Sequence, residues 1–140
     1  MHKAETISKS MAAIFGASAG YLFGGWSPLL DILIAFMAID YISGLLSAAY
    51  LGQLSSKVGF RGIARKVMIL FIVAVAHLSD RILMLDHIVM NAAIYFYLAN
   101  ELISIIENAG QIGLPVPKQL KRMIQIFRDD EKRQKGPKNH

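Results

Sequence analysis

At 140 residues the chain has room for one domain, and 54% of those residues are hydrophobic against 18% charged. A soluble domain of this size keeps enough polar surface to cover its core. The closely spaced apolar segments from Met11 to Glu107 leave too little for that. The absence of cysteine excludes a disulfide framework and a thiolate metal site.

The net charge of +5 could point to nucleic acid, but the basic residues gather in only two places, residues 52–66 and the tail after Pro117. Basic segments beside apolar helices mark the cytoplasmic face of a membrane and its anionic lipid headgroups, so no nucleic-acid partner is expected. His2, His77, His87 and His140 lack ligand spacing, and no metal or other cofactor is expected. The fold class that follows is an all-α integral membrane protein.

In chain order, residues 1–10 form a cytoplasmic N-terminal segment carrying Lys3 and Lys9. It does not resemble a cleaved signal, because the glycine-rich stretch after it runs into another apolar segment without a cleavage region. The transmembrane helical domain spans 11–107. Its first helix covers 11–26 and is stopped by Gly24, Gly25, Ser27 and Pro28. The second covers 29–50 around the run Ile32 to Ile39. A basic cytoplasmic loop, 52–66, carries Lys57, Arg61, Arg65 and Lys66 and no acid. The third helix covers 63–85 and the fourth 88–107.

The turns at Gly25 to Pro28 and at Asp86-His87 carry no Lys or Arg and belong outside. Four crossings with both termini in the cytoplasm then satisfy the positive-inside rule. Three crossings, with the short first helix lying in the interface, are the competing arrangement. The tail, 108–140, is basic. Within it Leu120, Met123, Ile124 and Phe127 recur at helical spacing opposite Lys118, Lys121, Arg122 and Arg128, an amphipathic helix over 118–127 on the inner leaflet. An unstructured end follows.

Three sets of residues are candidates for function. Gly16, Gly20 and Gly24 are four apart and give one helix face a flat groove, suited to self-association or to packing within the protomer. Asp40, His77, Asp80, Arg81, Asn91, Asn100 and Glu101 are polar residues within apolar helices. An ionised group at mid-bilayer costs about 2.5 kcal/mol or more, so such residues should face one another or water. They form either a pore or oligomer face, or a register network such as Asp40 with His77 and Asp80 with Arg81. The stretch Ser55-Ser-Lys-Val-Gly-Phe-Arg-Gly-Ile-Ala-Arg-Lys66 lacks the Gly-Lys-Ser/Thr close of a phosphate loop and is an interfacial turn instead. No catalytic constellation is present, and no enzyme activity is expected.

These residues carry a resemblance. Tyr21-Leu-Phe-Gly-Gly-Trp26, Asp40-Tyr-Ile-Ser-Gly44, Leu54 to Lys66, Ala76-His-Leu-Ser-Asp80, Ala99 to Asn108 and Gly113-Leu-Pro-Val-Pro-Lys118 are similar, in order, to the phage-lysis and toxin-secretion holin family. The resemblance implies a small protein that accumulates in the bacterial cytoplasmic membrane, oligomerises with itself and permeabilises that membrane. Endolysin or an exported protein toxin would then pass, without necessarily touching it. The family's recurrent polar positions correspond to Asp40, His77, Asp80, Asn100 and Glu101. Competing expectations are a small multipass ion channel or ion-coupled transporter using Asp40, His77 and Glu101, and a regulatory, antiholin-like membrane protein. Met11 as an alternative start would give a product lacking Lys3 and Lys9.

Overall fold

The computed structural model describes residues 1–134. Residues 135–140, with His140 and the end expected to be unstructured, lie outside the described residues, as do the side chains of Phe127, Arg128, Glu131 and Gln134. Five helices and no strand occur among the described residues: α1 (His2–Phe23), α2 (Pro28–Tyr50), α3 (Ser56–Ile82), α4 (Ile88–Gln111) and α5 (Lys118–Gln134).

Local chemistry sets most of the boundaries. α1 ends where Gly24 enters the left-handed region at φ 70°. α2 begins at Ser27-Pro28: the Ser27 hydroxyl accepts from the Leu30 amide at 3.2 Å, and proline fills the first helical position. Ser55 caps α3 in the same way, accepting from the Val58 amide at 3.2 Å. α4 is capped from another helix. The Asp80 carboxylate, on α3, accepts from the amides of Val89 and Met90 at 2.9 and 2.8 Å. A left-handed Gly113 (φ 96°) and Pro115 and Pro117 separate α4 from α5.

Several expected boundaries are corrected, among them the end of the first helix, at Phe23 rather than 26. The first helix starts at His2 rather than residue 11, because residues 2–10 hold no glycine or proline and Glu5 favours a first turn. The third starts at Ser56 rather than 63, so most of the expected basic loop 52–66 is helix, and it ends at Ile82 rather than 85. The fourth and fifth run on to Gln111 and Gln134 rather than 107 and 127. Hydropathy marks where a helix is apolar, and these helices continue past their apolar parts.

Short connections make α1 to α4 run alternately up and down. α2 packs most extensively on α4, α3 packs on α4, and α1 packs on α3, whereas among the described residues α5 packs extensively on none of them. The apolar core consists of Leu30, Leu33 and Met37 of α2, Ile69, Val73 and Ala76 of α3, and Met90 and Ile94 of α4. Ile39, Ile42, Leu46, Phe71, Val75 and Phe96 point outward and are exposed. Among the described residues, α2 and α4 are the two helices long and apolar enough to cross a membrane, and only 17% of the most apolar stretch of either is buried inside the molecule. A soluble protein inverts that proportion for its core helices.

Candidate functional site

The inward stripe of each central helix changes character part-way along. On α2, Leu30, Leu33 and Met37 are followed by Asp40, Gly44 and Ser47; on α4, Met90 and Ile94 are followed by Glu101 and Asn108. On α3, which runs the other way, Lys66 precedes Ile69, Val73 and Ala76. Helical spacing therefore stacks a dry half on a polar half inside one bundle.

At the junction, the Lys66 ammonium lies 2.5 Å from Asp40 Oδ2 and 2.5 Å from Glu101 Oε2, and the three side chains are only 13%, 12% and 5% exposed. Asn108 Nδ2 donates to Asp40 Oδ1 at 3.1 Å, to the Asp40 carbonyl at 3.3 Å and to the Ser43 hydroxyl at 2.9 Å. One helical turn beyond, the Ser47 hydroxyl donates to Gln111 Oε1. One ammonium thus holds together carboxylates from two other helices, and the Asn108 amide donates to the second carboxylate oxygen of Asp40.

Asp40, Lys66 and Glu101 each lie ten residues from the end of their helix at the same pole, those ends being Tyr50, Ser56 and Gln111. At 1.5 Å per residue that puts all three at one level, about 15 Å from that pole. Two cavities flank the network. One of about 260 Å³ is lined by Met68, Ile72, Tyr97, Asn100 and Ser104, and one of about 160 Å³ by Tyr41, Val58, Gly62 and Asn108. Asp40, Arg65 and Ser104 border both.

The expected candidates therefore divide. Asp40 and Glu101 meet through Lys66, and Asn100 borders the larger cavity. Asp40 does not pair with His77, nor Asp80 with Arg81: both expected pairs are corrected. Asp80 is occupied as the cap of α4, and His77 and Arg81 belong with it to the far pole. There His77, 5% exposed, stacks on His87 with ring centroids 5.7 Å apart, and Arg81 lies 5.2 Å over the Tyr21 ring. A Cβ on Gly24 would sit 2.7 Å from His77 Cε1, so only glycine fits there. These contacts fasten the end of α1 to α3. Asn91 is exposed and borders a cavity of about 460 Å³ beside the turn from α1 to α2.

A Cβ at Gly16 or Gly20 meets nothing within 4 Å, so packing within the protomer does not occupy their face. Lys57, Arg61 and Arg65 are exposed on the first turns of α3, on a helix rather than in the expected loop. Lys66 is the main correction: assigned to that loop from sequence, it points into the bundle. Gly59 and Gly62, which the sequence suggested only as turn residues, admit the Tyr41 ring, since a Cβ on Gly62 would lie 2.9 Å from Tyr41 Cε2. Sequence reasoning missed Lys66, Asn108, Ser43, Ser47 and Gln111 as members of the polar half. A signal existed, because Lys66 lies three residues before Ile69 and Asn108 seven after Glu101, in phase with the buried stripes.

The bacteriophage holin family matches residues 17–129. A protein of Listeria monocytogenes is 51% identical over 136 residues, covering 94% of this chain and 97% of its own length. One of Halalkalibacterium halodurans is 46% identical over 132 residues, covering 91% and 98%. A 14.9 kDa protein from the nagH 3' region of Clostridium perfringens is 37% identical over 105 residues, covering 74% and 80%. No solved structure matches the chain. A helical chain whose apolar helices face outward around a buried ion network, and which matches that family over most of its length, is a membrane protein: it belongs to the bacteriophage holin family.

Proposed function

We propose that this chain acts as a holin: copies gather in the bacterial cytoplasmic membrane and open lesions through which an endolysin or a protein toxin passes. In this reading α1 to α4 all cross, with both termini in the cytoplasm, and Lys57 and Arg61 mark the inner pole. The observation that carries the reading is the Asp40–Lys66–Glu101 network, two carboxylates and an ammonium held about half-way across three packed helices. In a single protomer those charges satisfy one another. As copies accumulate through the open Gly16–Gly20 face of α1, the polar halves of α2, α3 and α4 turn from one another toward water and line the lesion. Burial in the protomer and hydration in the assembly are two arrangements of the same side chains.

Inducible expression in bacteria tests it, with membrane potential and release of a co-expressed folded endolysin followed together. The expected result is a delay, then abrupt depolarisation and endolysin passage at the same moment. Accumulation without either event would overturn the reading. The two cavities beside the network favour a second reading, a small ion-conducting protein. Its mark is graded depolarisation with the endolysin retained.

A further inference from the structure

Among the described residues α5 makes no extensive contact with the other helices, yet it has a strongly two-sided surface. Leu120, Met123 and Ile124 lie at i, i+3 and i+4 on one side, with Met123 49% exposed, and Lys118, Lys121 and Arg122 lie on the other. The helix leaves the bundle within six residues of the end of α4, at the pole that also carries Lys57 and Arg61. Further along, Asp129 and Asp130 end the purely basic stretch.

We infer that α5 lies in the plane of the inner leaflet, its Leu120–Met123–Ile124 face in the acyl boundary and its cations on anionic phospholipid headgroups. The occupant follows from charge and position. A segment tethered this closely to a membrane pole, apolar on one side and cationic on the other, matches a surface that is apolar below and anionic above. The two aspartates set how far the seated part extends, because carboxylates are repelled by the same headgroups. The seat covers about the first three turns, and the remainder of the helix lifts into water. The inference rests on the holin reading only for which leaflet α5 meets.

The chain has no cysteine, so single substitutions carry a nitroxide without background. Met123→Cys and Gln125→Cys full-length protein is reconstituted into phosphatidylglycerol-rich or pure phosphatidylcholine vesicles, and collisional depth is measured. The expected result is a Met123 label reached by oxygen and shielded from a water-soluble nickel reagent, a Gln125 label with the opposite preference, and loss of the difference in phosphatidylcholine. Lys121→Gln with Arg122→Gln should lower the seated fraction about tenfold or more. Equal access of both labels to the aqueous reagent in anionic vesicles would overturn the inference. So would dipolar broadening at Met123 that vanishes on dilution with unlabelled protein, which would assign the face to a second copy. A protein inert in lysis but with a seated α5 would leave this inference standing while the holin reading fell.

Discussion

Lys66 follows Arg65 in the chain, and the two cations have opposite surroundings because a helix turns about 100° per residue. Arg65 is exposed at the rim of both cavities, whereas Lys66 is enclosed between Asp40 and Glu101. Removing one partner from a buried ion pair leaves an uncompensated charge and destabilises by about 3–5 kcal/mol, whereas replacing the whole set with neutral groups can leave stability nearly unchanged. Lys66→Met should therefore lower the thermal stability of the purified protein in detergent by that order. Asp40→Asn, Lys66→Met and Glu101→Gln together should recover most of it while changing the timing of depolarisation in cells. If the triple variant is as unstable as the single one, the charges are not balanced as a set. Asp80 gives a separate test. Asp80→Ala removes the acceptor for two α4 amides and should cost about 1–2 kcal/mol, read as faster hydrogen exchange at Val89 and Met90.

Among the elements, α1 is the loosest member of the bundle. Residues 1–18 are exposed throughout, and its buried contact is at Ala19 and the end that meets His77 and Arg81. Gly24→Ala meets both a left-handed backbone and the His77 ring, so it should free α1, seen as faster amide hydrogen exchange at Tyr21 to Phe23. Gly16→Ile with Gly20→Ile meets open space and should leave the protomer's melting unchanged while lowering cross-linking between copies. Unchanged cross-linking would remove α1 from the assembly face. α2 was legible in the sequence almost to the residue, because Ser27-Pro28 is a local start signal and its apolar run fills most of the helix. The beginnings of α1 and α3 were not, because hydropathy is silent where Lys3, Lys9, Lys57 and Arg61 occupy helical turns. Asp40 and Glu101 stood out as acids in apolar helices. Their partner did not, since a lysine next to an arginine at a helix start has the composition of an interfacial loop.

For the whole molecule, the central feature is the division of one bundle into a dry half and a polar half. Ile39, Ile42, Leu46, Phe71, Val75 and Phe96 give the outward faces long apolar stretches, which suit hydrocarbon, while the inward faces offer water-compatible groups over only part of their length. Under the proposed holin function, a protomer built this way keeps its charges paired when alone and acquires a hydrated surface by rearrangement with other copies. The most direct test exploits the cysteine-free sequence. In cells expressing Asn100→Cys, whose position borders the larger cavity, reaction with a membrane-impermeant maleimide is measured before and after depolarisation. Protection before and labelling after, in step with the loss of membrane potential, is the expected result. Labelling from the outset, or protection that persists through lysis, would contradict it.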